Sequence, residues 1–262
     1  MSKKILKFIE RLFIPKLEKT DFCQLKNNKP IIDINIRVLD QYIDNTSSID
    51  DFFVEPEERF YKKPVSQQAE IIKRKIGLSS EYCPISFRSE RSFLGMPGSA
   101  GTFVQKKTMK PLVDLDNKSI QWAQDDTLRF EIRLDPDFRD NPIIIAGLLA
   151  HELTHLYFNK KGLSGRLGDY NTEEHCCDLA IFLLGLGKIA INSLTQQIEQ
   201  RDYAGITTKS IRNYWSWFEM CYVYEKVNLI KGIPANISRS NLNRAAKDGL
   251  AVVTNYSELF NN

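Results

Sequence analysis

The chain has 262 residues, 42% of them hydrophobic, enough apolar material for a sizeable core in one or two domains. Lys and Arg number 36 against 33 Asp and Glu, so the net charge is only +3, which argues against nucleic acid as a partner. Five cysteines, Cys23, Cys83, Cys176, Cys177 and Cys221, are an odd number without a Cys-x-x-Cys pair, which argues against a disulfide framework and for a reducing compartment.

In chain order, residues 3–15 read as a short amphipathic helix. Ile5, Leu6, Phe8, Ile9, Leu12 and Phe13 alternate with Lys4, Lys7 and Arg11, and Pro15 ends it. We expect it to dock on its own domain, with weak contact to a membrane surface as the second reading. Glu10 and Arg11 interrupt the apolar stretch a signal peptide needs, and no run of about 18 apolar residues occurs. A cytoplasmic protein is expected. Residues 31–39, IIDINIRVL, alternate well enough for a strand, and 44–64 read as a linker or long loop. Residues 66–78 read as a helix stopped at Gly77, with Lys73, Arg74 and Lys75 as a solvated face. Strand patterns follow at 84–88, 101–107 and 129–135, the first two flanking a Gly/Pro/Ser-rich loop at 93–101.

From residue 141 the period becomes helical. Pro142 stands at a first helical position and Gly162 just past an end. Residues 171–187 form a second helix, 208–231 a long aromatic-rich third, and 239–251 a short last one. The expected fold is α+β: a small, mainly antiparallel sheet packed on the helix from 141, with a helical C-terminal half. Residues 1–60 are expected to be an accessory segment before a main domain over 61–262.

The chemistry concentrates in His151-Glu152-Leu153-Thr154-His155. Helix positions i and i+4 share a face, so two imidazoles can converge on one metal ion, while Glu152 can reach a metal-bound water without being a ligand. A catalytic Zn2+ needs a third protein ligand and one open position. Glu174 is the candidate, and Asp178, one turn later on the same face, can accept the free N–H of a ligand histidine. His175 and Glu173 are minor alternative ligands. Cys176 and Cys177 begin an apolar run and read as core, with Cys177 placed to line the rear of the site.

His-Glu-x-x-His, eighteen residues, then Glu-x-x-x-Asp resembles the gluzincin branch of zinc peptidases, to which thermolysin and the zinc aminopeptidases belong. The resemblance covers residues 141–187. It implies a zincin-like fold, peptide-bond hydrolysis on a peptide or protein substrate, Zn2+ held by His151, His155 and Glu174, Glu152 as general base and Asp178 as the outer partner of the first histidine. Gluzincins also place a Tyr or His after the third ligand to stabilise the oxyanion. No histidine follows His175, which leaves Tyr203, Tyr214, Tyr222 and Tyr224 as candidates. An edge strand from Gly98 to Val104 is expected to pair with an extended substrate. Two other functions stay open: a regulatory protease specific for one protein partner, and a non-catalytic zinc-binding module.

Overall fold

The structure is a computed structural model and describes residues 19–43, 48–87, 101–114, 119–167, 170–204 and 215–257. The helix expected at 3–15, the loop residues 93–100 and Tyr214 lie outside that set.

Helix α1 spans Lys19–Tyr42 and includes the run at 31–39 that reads as a strand. The buried residues are Leu25, Ile32, Ile36, Leu39 and Ile43, spaced at three, four and seven, whereas Ile31, Ile34 and Val38 are exposed. Two interleaved apolar stripes on one helix mimic strand alternation, and only one of them meets the core. Leu25, Ile32, Ile36 and Leu39 enter the same hydrophobic core as the helices that follow residue 140.

The stretch after α1 holds a single helical turn, α2 (Glu58–Tyr61), and buries Phe52, Phe53, Val54 and Phe60, so it is anchored rather than a bare linker. Helix α3 spans Val65–Lys75. Lys73 does not belong to a solvated face: it is buried, with its ammonium donating to Glu81 O at 2.8 Å and paired with Glu70 at 2.7 Å.

The sheet comprises β1 (Ile85–Phe87), β2 (Gly101–Asp114) and β3 (Ser119–Leu134), in the order β1-β3-β2. β2 and β3 pair antiparallel, from Gly101↔Leu134 to Asp114↔Ser119, with a register shift between Lys107 and Thr108. β1 pairs parallel to β3, Ile85↔Ile132 and Phe87↔Leu134. The sheet is therefore mixed: the long β2–β3 pairing is antiparallel as expected, and the short β1–β3 pairing is parallel, which corrects the expectation there. The cause is strand order: β3 takes the centre, where Phe130, Ile132 and Leu134 are buried. Two chain reversals separate β1 from β3, so the two run the same way.

Asp135 caps a 3-10 turn at Pro136–Phe138, and helix α4 (Pro142–Lys160) begins four residues after Phe138. The Asn141 side chain accepts from Ile144 N at 3.1 Å, and Pro142 occupies the first turn, where a missing N–H costs nothing. At the other end Gly162 takes φ +65°, with Gly162 N bonded to Asn159 O and Leu163 N to Phe158 O, a left-handed stop that suits glycine. α4 is buried around most of its circumference. It packs against α3, against β2 and β3, against α5 (Tyr170–Leu183) and against α6 (Gly187–Ala204). Helix α7 (Trp217–Ile230) starts at a capping box between Ser216 and Glu219, and residues 208–214 of the long helix expected there lie outside the described residues. A turn α8 (Ala235–Ser238) leads to α9 (Arg244–Ser257), displaced toward the C-terminus from the expected 239–251. Among the described residues no single helix is long and apolar enough to cross a membrane.

Candidate metal centre

α4 and α5 lie side by side and bring together the residues that the sequence singles out. His151, His155 and Glu174 form a group that could hold a metal ion. The Nε2 atoms of the two histidines are 3.2 Å apart. Glu174 Oε2 is 3.1 Å from His151 Nε2, and Glu174 Oε1 is 3.3 Å from His155 Nε2. Ligand atoms 2.0–2.1 Å from a zinc ion at tetrahedral angles stand about 3.3 Å from one another. The donor set therefore has the spacing of a small tetrahedral cation site.

The outer nitrogens are committed too. His151 Nδ1 donates to Asp178 Oδ1 at 3.0 Å, which places Asp178 where a ligand histidine needs its orienting partner. His155 Nδ1 faces Cys177 Sγ at 3.3 Å. In the tautomer with both Nδ1 protons turned outward, which a metal ion at the Nε2 atoms requires, two imidazole lone pairs and a carboxylate oxygen would converge on one point. Such a cluster of acceptors repels itself unless a cation sits among them.

Electrostatics agree. Burial opposes charge on His151, but hydrogen bonds to Asp178 and Glu174, with the charge of Glu152, hold its pKa well above the ordinary histidine value. His155 is also buried, yet Cys177, Glu173 and Glu174 hold it well above that value. Burial raises Glu174, but the two histidines outweigh this and keep its carboxyl far below the usual carboxylate range. The pocket is thus tuned to keep positive charge next to an ionised carboxylate, and a proton and a metal ion compete for the same place.

Glu152 is buried on α4 beside His151, near enough for its charge to act on both that ring and the Cys83 thiol. The side chain of His151 is 21% exposed, against 11% for His155 and 8% for Glu174, so solvent reaches the group from the His151 side.

The minor alternative ligands take other places. Glu173 Oε1 lies 3.9 Å from His155 Nδ1, on the outer side of the ring, while its Oε2 accepts from Gly165 N at 2.9 Å. The His175 ring packs edge-on against Trp215 at 5.0 Å. Cys177 is fully buried, and that burial pushes its thiol up to about 12. Of the candidate oxyanion donors, Tyr222 donates to Asp33 Oδ1 on α1 at 2.7 Å, and Tyr224 donates to Ser238 O on α8 at 2.5 Å. Tyr203 lies in α6, and Tyr214 is outside the described residues. Cys177 lines the rear of the site as its spacing suggests, whereas Glu173 stands at the outer face of His155 rather than among the ligand atoms. The signal in the sequence is helical spacing, since 173, 174, 177 and 178 fall toward one side of α5.

Compared with protein families, with curated proteins and with solved structures, the chain matches none.

Proposed function

We propose that the chain is a zinc-dependent peptidase of the gluzincin type, with His151, His155 and Glu174 as metal ligands and Glu152 as general base. The observation that carries this reading is the convergence of two Nε2 atoms and one carboxylate within 3.1–3.3 Å, beside a buried carboxylate that is not part of the donor set. A purely structural zinc site closes its fourth position with protein and has no use for a base. Zinc, when bound, acidifies a coordinated water and polarises a substrate carbonyl. Glu152 takes the proton of the attacking water and returns it to the leaving amine nitrogen. Asp178 holds the tautomer and direction of His151.

The placement of α4 against β2 and β3 supports a zincin-like arrangement in which an extended peptide pairs with the outer edge of β2 over Gly101–Val104. The limited exposure of the ligands favours one refinement: a protease that admits a particular partner rather than peptides at large.

The test is Glu152→Gln. The variant retains zinc at the parent stoichiometry and loses peptide hydrolysis by about 100-fold or more, from the lower end of what a general base contributes upward. Hydrolysis at the parent rate would remove Glu152 from the role. A parent protein that takes up zinc but cleaves neither a peptide library nor denatured proteins would leave a single-partner protease or a non-catalytic module, and cleavage of one protein by the parent but not by Glu152→Gln would select the first.

A further inference from the structure

We infer that Cys177 is a positioning residue for the metal centre: its sulfur accepts the Nδ1 proton of His155 and thereby turns Nε2 of that ring toward the ion. This rests on the metal reading proposed above and adds a residue to it.

The two nitrogens of an imidazole point in diverging directions, so a group bound at one cannot reach an ion held by the other. His155 Nε2 looks into the donor cluster, 3.2 Å from His151 Nε2 and 3.3 Å from Glu174 Oε1. Nδ1 looks the opposite way, at Cys177 Sγ 3.3 Å distant. Cys177 is therefore behind the ring and does not ligate the ion that the ring holds. Its place is equivalent to that of Asp178 behind His151, 3.0 Å from Nδ1. One short stretch of α5 thus supplies a ligand, Glu174, and one turn later the outer partner of each histidine, Cys177 and Asp178.

A second acceptor near Nδ1 is more weakly placed. Glu173 Oε1 stands farther off, at 3.9 Å, an ion-pair distance that raises the His155 pKa but is long for a hydrogen bond, and its second oxygen is anchored by Gly165 N. A thiol also makes sense here by charge. Glu152, Glu174 and Asp178 are already buried within the same small volume. A sulfur acceptor orients the second ring without burying one more carboxylate, whose desolvation would have to be offset.

Cys177→Ala and Cys177→Ser separate the hydrogen bond from packing, because alanine and serine have nearly the same volume and only serine carries an acceptor. Zinc affinity is measured by competition with a chromophoric chelator on the full chain, and the cobalt(II) absorption spectrum is recorded for each protein. The alanine variant is expected to bind zinc about 10-fold more weakly than the parent and to shift the cobalt bands. The serine variant is expected to recover most of that loss. Equal affinities for the two variants, whether both match the parent or both fall below it, overturn the inference while leaving the metal centre intact. A parent chain that binds neither zinc nor cobalt overturns the metal reading itself. Should the variants fail to fold, nitrogen-15 histidine NMR of the zinc-loaded parent decides. The proton is expected on Nδ1 of His155, and a metal-bound Nδ1 overturns the inference.

Discussion

Gly147 sits one turn before His151 on α4, at the point where that helix crosses α6. A Cβ built on Gly147 would lie 2.1 Å from Oγ and 2.3 Å from Cβ of Ser193, against 3.9 Å from its Cα. Carbon atoms in good contact stand about 3.5–4.0 Å apart. Rotating the serine hydroxyl relieves the first clash but not the second, because Cβ is fixed by the backbone. Gly147→Ala must therefore push α4 and α6 apart by about 1 Å. Overpacking of this kind costs about 1–3 kcal/mol, and a helix-interior alanine recovers about 1 kcal/mol of propensity. A net loss of about 1–2 kcal/mol, taken because a Cβ rather than a side-chain tip is struck, corresponds to a Tm lower by roughly 2–8 °C. Ser193→Gly in the same chain removes the struck atom, so the double variant should recover most of the loss, with a coupling of about 1 kcal/mol or more. Thermal melts of the parent, both single variants and the double variant measure it. A Gly147→Ala protein that melts higher than the parent, as an open helix position would allow, refutes the close crossing of α4 and α6.

Two other expectations follow from the same geometry. Ile36 is buried and Ile34 is 59% exposed; on a strand the two would share a face and cost the same. On α1, Ile36→Ala should cost about 2–5 kcal/mol and Ile34→Ala no more than about 0.5 kcal/mol, read by chemical denaturation; equal losses would restore the strand. The metal group also sets a pH dependence. His151 and His155 are held above 6.5, so their contribution to the metal-free fold is complete below that value and is lost as pH rises through the raised folded values. Glu174 is held below 4.5, so its contribution is complete above that value and is lost as pH falls. With chelator present, the Tm should therefore fall from pH 5.5 to pH 8.5, while zinc affinity rises over the same interval as protons leave the rings. Calorimetry at the two pH values checks both, and an unchanged zinc affinity would contradict the assigned proton competition.

The metal group was legible because its signals are local and redundant. One helix turn places His151 over His155, Asn141-Pro142 and Gly162 mark both ends of that helix, and Glu174 and Asp178 repeat the same spacing on the next. What the residues could not convey depended on partners distant in the chain. The run at 31–39 satisfies both the strand and the helix period, and only the core that meets Ile32 and Ile36 decides between them. The parallel pairing of β1 follows from β3 entering between two earlier strands, which no local pattern encodes. α6 was not anticipated, since its polar second half, TQQIEQRD, hides a first half whose Ile189, Ile191 and Leu194 are buried. Cys177 read as core, and it is core by burial; that its sulfur faces a ring nitrogen depends on the rotation of α5 against α4.

The joint hold of His151, His155 and Glu174 on one ion is tested most directly by X-ray absorption on the chain loaded with zinc and dialysed. One zinc per chain, with two imidazoles and oxygen in the inner shell and no sulfur, is the predicted result. A chain that retains no zinc, or a zinc with a sulfur neighbour at about 2.3 Å, would contradict it.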